Sequence, residues 1–177
     1  LNASHPAAPG EPPRFLLLHR ARTLSTTQGR WIGWERKRGK LEQLVASLVH
    51  DLPGPFMALG ELSRMASGTR YLLTLDSDTQ LPPGRLRALV GVAEHPDNRP
   101  RLDASGRHVV QGYGILQPRV VPPLPETGLT SAWQWMSAGQ RGLDPYSAMS
   151  SDVYQDVFGE GSFTGKGLLH VATMHAV

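Results

Sequence analysis

Asp76 and Asp78, the acids of a D-S-D triplet, are the residues whose type and spacing most directly suggest chemistry. They end the apolar run YLLTLD (71–76), and open α/β sheets bind ligands at the carboxyl ends of such strands. Two carboxylates one residue apart on a tight turn can face one hard divalent cation, Mg²⁺ or Mn²⁺, whose shell is completed by water and diphosphate oxygens. A metal so held draws charge off a departing diphosphate. A lone D-x-D is a weak signal. The same residues also suit a structural role, Asp76 as a strand-end turn residue and Asp78 as an acid favoured by a helix dipole.

The second candidate is RWIGWERKRGKLEQL (30–44), which gathers Arg36, Lys37, Arg38 and Lys40 in a loop and the first turn of a helix. Cations at a helix N-terminus oppose the macrodipole, and a bound anion reverses that sign. Two other readings stand beside the anion site. One is a solvated basic face. The other is a single-stranded nucleic-acid platform, because Trp31 and Trp34 interleave with the cations.

The third is the glycine-rich FGEGSFTGKG (158–167). It is not a P-loop: three residues separate Gly161 from Gly165 and five separate Gly159 from it, where the motif needs four, and Gly167 rather than Ser or Thr follows Lys166. Such a loop still lets backbone approach a substrate, with Glu160 and Lys166 able to meet hydroxyls or phosphate. A surface turn with two ordinary charges is the alternative.

These residues need elements to hold them. The pattern predicts a linker or cut segment over 1–14, rich in Pro, Ala and Gly, and a short buried strand at FLLLH (15–19). Leu41, Leu44, Val45, Leu48 and Val49 have helical spacing and predict a helix over 35–50. YLLTLD reads as a strand buried on both faces of a parallel sheet. A helix should follow, with Pro82 and Pro83 in its first turn and Leu86, Leu89, Val90 and Ala93 as its buried stripe. Residues 95–106 read as turns. In the strand region 108–120, Gly112 and Gly114 suggest a bulge or a close backbone approach. A helix is expected from Glu126 to about Arg141. Strands alternating with helices predict an α/β architecture.

Composition narrows the class. The 177 residues are 40% hydrophobic and 19% charged, which excludes disorder and suits one domain. No apolar stretch reaches the roughly 18–20 residues that span a bilayer. There is no cysteine, so disulfides and thiolate sites are excluded. The net charge of +3, concentrated at Arg36–Lys40, suggests an anionic ligand. A start at Leu1 without a leader gives the expectation of a cut inside a longer protein.

Taken together, RWIGWERKRGKLEQL, YLLTLDSDTQLPPG, EHPDNRP, GYGILQPRV and GLDPYSAMSSDVYQDVFGEGSFTGKG resemble, in that order, the glycosyltransferase domain of cyclic β-1,2-glucan synthases, over about residues 14–167. The resemblance implies an incomplete GT-A-like α/β domain over 15–177. It implies UDP-glucose as donor, Mg or Mn as cofactor, a β-glucan acceptor and inverting transfer. It also implies a larger multi-domain synthase working at the cytoplasmic face of a bacterial inner membrane, with no nucleic-acid partner. Carried over by residue, Asp76 and Asp78 hold the metal; Arg36, Lys37, Lys40 and Asp76 hold the donor; Gln117, Glu160 and Lys166 meet sugar or acceptor. The family continues after Gly167 with an acidic, aromatic pattern, whereas this chain reads LLHVATMHAV, so the match ends there. The family's general base has no counterpart before Val177 and is expected beyond it. A non-catalytic module binding glucan or single-stranded nucleic acid is the competing expectation.

Overall fold

The computed structural model describes residues 1–118, 157–158, 163 and 165–177. The helix expected over 126–141 lies outside them, as do Glu160 and half of the glycine-rich loop. Segment 1–14 has no helix or strand and is tied down by side chains. Asn2 and Phe15 exchange hydrogen bonds of 2.8 and 3.0 Å, and the Arg64 guanidinium donates to the carbonyls of Gly10 and Glu11 at 3.2 and 2.9 Å.

The predicted strand at 15–19 does not form. Phe15, Leu16 and Leu17 are exposed, and the stretch makes two separate backbone bonds, Leu17 N to the Leu62 carbonyl and Met57 N to the His19 carbonyl, before an isolated bridge from Arg20 to Phe56. An apolar run is a strand only if a neighbouring edge pairs with it, and a single bridge supplies almost none. A small hairpin comes next, β1 (Thr23–Ser25) against β2 (Arg30–Ile32), with Leu24 opposite Trp31.

Helix α1 runs from Arg36 to His50, as the spacing predicts, and buries Val45 with Ser47 while Val49 stays exposed. Strand β3 (Tyr71–Thr74) follows, then α2 (Arg85–Ala93), which starts after Gly84. Pro82 and Pro83 therefore precede the helix rather than occupying its first turn. Of the expected stripe Ala93 is buried and Leu86 exposed. Strands β4 (Arg101–Leu102) and β5 (Val109–Gln111) form a second hairpin, and β6 is Ile115–Leu116. Gly112 separates β5 from β6 with φ 72°, and a Cβ there would lie 2.1 Å from the Arg99 carbonyl oxygen. The close approach expected of this glycine is real.

Strand β7 (Gly167–His170) and helix α3 (Val171–Ala176) complete the described elements. The largest sheet has the order β3-β7-β6 and every described pairing is antiparallel, not parallel. Leu168 sits opposite Leu73 and Leu116, and Leu169 opposite Leu72 and Ile115. Neighbouring strand residues point to opposite faces. Leu168 and Leu169 are both buried, so β7 is the strand covered on two faces, whereas β3, an edge among the described residues, is half-buried. Val171 and Thr173 of α3 join Val45 in this core, with α3 packed against α1. The last ten residues, where the resemblance is expected to end, thus supply Leu168, Leu169, Val171 and Thr173 to the core. Among the described residues no helix is long and apolar enough to cross a membrane.

Candidate functional site

The register of β3 on β7 builds the site. Thr74 pairs with Gly167, and the buried Thr74 hydroxyl lies 3.2 Å from both the backbone nitrogen and the carbonyl of Gly167. Antiparallel strands run past each other, so Asp76, two residues beyond Thr74, meets Lys166, one residue before Gly167. The Lys166 ammonium is 2.8 Å from Asp76 Oδ2.

A second cation arrives from α1. Lys37 Nζ pairs with Asp76 Oδ1 and donates to the Gly165 carbonyl at 2.9 Å. Three separate parts of the chain therefore converge on one carboxylate: the start of α1, the end of β3 and the loop before β7. The hydrogen bond from Lys166, then that from Lys37, holds the Asp76 carboxyl well below the usual range, at about 2. Two cations on one anion leave the cluster with a net positive charge. An ammonium on a flexible stem is a point charge that can swing from carboxylate to phosphate.

Lys37 is delivered by an unusual helix start. Glu35 and Arg36 both have positive φ, 49° and 44°, a left-handed conformation that side chains disfavour. Gly39 is buried beneath Trp34, and a Cβ there would lie 2.5 Å from the Trp34 carbonyl oxygen. Only glycine lets the loop fold back this tightly onto the first turn.

Of the residues expected to act, the structure brings together Lys37, Asp76 and Lys166. Asp78 lies exposed in the turn just beyond, which is closed by a 3.0 Å bond from Thr79 N to the Asp76 carbonyl. Arg36, Arg38 and Lys40 are exposed on or near the first turns of α1, and no ion pair joins them to the cluster among the described residues. Gln117 is exposed one residue past β6. Glu160 lies outside the described residues. Arg20 was missed: its guanidinium bonds to the backbone around Trp34 and Arg36, and its only signal in the sequence is a cation directly after an apolar run.

The acids suit a hard cation in type. Mg²⁺ is commonly held by one or two carboxylates, with water and phosphate completing its shell. Asp78 makes no ion pair among the described residues, whereas both oxygens of Asp76 face ammonium groups. No group of three or more His, Cys, Asp or Glu residues that could enclose a metal occurs among the described residues. A cation here would rely on phosphate for the rest of its ligands.

No known family model matches the sequence. The chain is 47% identical over 163 residues, 92% of its length, to the protein described as "Cyclic beta-(1,2)-glucan synthase NdvB" of Rhizobium meliloti (strain 1021). That stretch is 6% of NdvB, so the chain spans a small part of the relative it matches. Identity sustained over nearly the whole chain makes this chain a relative of one stretch of a cyclic β-(1,2)-glucan synthase.

Proposed function

We propose that the chain is the donor-binding part of a hexosyltransferase that moves glucose from UDP-glucose to a growing β-1,2-glucan, within a larger synthase at the cytoplasmic face of a bacterial inner membrane. The observation that carries this reading is the pairing of Asp76 with Lys37 and Lys166 at the end of β3. Two ammonium groups on flexible stems beside a pair of acids match the needs of a nucleoside diphosphate, which must be bound as an anion and released as a better one. The relation to NdvB supports the same class of chemistry.

In this reading Lys37 and Lys166 hold the diphosphate oxygens and stabilise charge as the sugar–phosphate bond breaks. Preorganised charge at a leaving group is among the largest contributions an enzyme site makes. Asp78, with Asp76, would hold a divalent cation, whose chemistry is to withdraw charge from the same oxygens. The transfer is inverting: an acceptor hydroxyl attacks the anomeric carbon as UDP departs. No residue of this chain is assigned as the base that takes its proton.

Calorimetry of UDP with Mn²⁺ tests the assignment. The unaltered chain should bind; Asp78→Ala should abolish the metal-dependent part, and Lys37→Ala or Lys166→Ala should weaken binding about tenfold or more, the range of a charged hydrogen bond. Unchanged affinity in all three variants ends the reading. One observation favours a second: Trp31 is 63% exposed on β2 and Trp34 is also exposed. Metal-independent, salt-sensitive binding of single-stranded nucleic acid, or metal-independent binding of glucan, would make the chain a binding module instead.

A further inference from the structure

The strained entry to α1 has a keeper. Arg20 donates from Nη2 to the Trp34 carbonyl at 2.6 Å and to the Arg36 carbonyl at 3.2 Å, and from Nη1 to the Gln43 side-chain oxygen at 3.0 Å. Its own backbone is anchored by the bridge to buried Phe56 and by a 2.8 Å bond from Met57 N to the His19 carbonyl. One guanidinium thus spans both sides of the left-handed pair Glu35 and Arg36 and ties them to the second turn of the helix. A planar fork with fixed donor directions can do this; a lysine cannot hold three acceptors in one plane. Left-handed, non-glycine residues persist only where the surroundings over-determine them. The residue that follows this clamped pair is Lys37.

We propose that Arg20 is a positioning residue for Lys37: by clamping the Trp34–Arg36 turn it sets the helix start from which the Lys37 ammonium reaches Asp76 and the Gly165 carbonyl. Arg20 itself does not touch that cluster. Its importance for the nucleotide rests on the donor reading given above, but its effect on Lys37 does not.

The chain carries three lysines, Lys37, Lys40 and Lys166, so amine labelling can follow each by peptide mass. In the unaltered chain Lys37, held by Asp76 and Gly165, should acetylate several-fold more slowly than Lys40, which is exposed on α1. Arg20→Ala should raise the Lys37 rate to near that of Lys40, leaving Lys166 slow on Asp76. Arg20→Lys, a milder change should the first variant fold poorly, should give an intermediate rate. Arg22→Ala, two positions away and exposed, should change nothing. A Lys37 to Lys40 ratio unaltered in both Arg20 variants overturns the proposal. So does a common rise of all three lysines in both, which means that Arg20 merely supports the fold. Repeating the labelling with UDP and Mn²⁺ separates the two ideas. Protection of Lys37 by nucleotide in the unaltered chain supports the donor reading, and its absence sinks that reading while leaving the placement by Arg20 standing.

Discussion

Each end of the β3–β7 ladder carries one carboxylate gripped by two cations, and the two grips are built differently. At the Tyr71 end, Glu94 at the close of α2 is held by Arg70 at 3.0 Å and Arg99 at 2.6 Å. The Tyr71 ring, next along the chain from Arg70, stands edge-on to His170 at 5.4 Å. Burial pushes the Glu94 carboxyl up, yet Arg99, Tyr71 and Arg70 outweigh it and hold the group below its ordinary range. At the Thr74 end, Asp76 is held by lysines alone, and its side chain is 39% exposed against 22% for Glu94. Arginine forks fix geometry, whereas lysine ammonium groups can be re-aimed. The first grip ties the end of α2 to the residue before β3; in the donor reading the second keeps its charges available to a ligand.

Between the two lies Leu168, and Leu168→Ala should have the largest effect. Deleting a buried leucine side chain typically costs about 2–5 kcal/mol, and urea denaturation should show that loss together with collapse of both clusters. If the loss is under about 1 kcal/mol, β7 is not the centre of the packing. Glu94→Gln comes next, with a clear fall in melting temperature and no change in affinity for UDP with Mn²⁺. The reverse pattern, lost affinity with an unchanged melt, would exchange the roles of the two ends.

Asp76→Asn sharpens the contrast through pH. The carboxyl is held at about 2 in the fold against 3.8 unperturbed, so the unfolded chain binds its proton first as pH falls. Its contribution to stability is complete above about pH 3.8 and is lost as pH drops through about 2. The stability curve of Asp76→Asn should therefore be flatter than that of the unaltered chain in that window. At pH 7 Asp76→Asn should be the less stable of the two, by a modest margin because the ion pairs are exposed, and the two should converge as pH falls through about 2. Equal slopes in acid would mean that the lysines do not grip Asp76. The smallest effect is expected of Arg36→Ala, whose side chain is exposed: within about 0.5 kcal/mol in stability and near-unchanged UDP affinity, with Lys37 the one cation of the helix start that serves the site beside Lys166.

How much of this could be read from the sequence follows from how local each signal is. The α1 helix was legible because its apolar spacing is a property of one segment, and the D-S-D turn because it closes an apolar run. Lys37 and Lys166 were both named, yet nothing in their spacing revealed that they share one acid; that pairing depends on the Thr74–Gly167 register. FLLLH (15–19) is no strand because hydrophobicity does not supply a pairing edge. The doubly covered strand is GLLH rather than YLLTLD, since the position of a strand in a sheet is decided by its neighbours. LLHVATMHAV, which lacks the acidic, aromatic pattern expected there, has what a core requires, Leu168, Leu169 and Val171 at buried positions. Arg20 escaped because its partners are backbone carbonyls, which carry no sequence signature.

The order β3-β7-β6 also governs when the sheet can exist during synthesis. Among the described residues β3 and β6 share no ladder; each pairs only with β7. The bond that joins Thr74 to Gly167 spans 93 residues. A contact of that sequence separation must wait for a large loop to close, and chains dominated by such contacts fold slowly. While the ribosome is still making the intervening segment, α1 can form, but β3 and β6 present unpaired edges that attract other strands. The β3–β7–β6 pairing seen here cannot assemble in a nascent chain that stops short of Gly167, and the period before β7 emerges is when a chaperone has the most to protect.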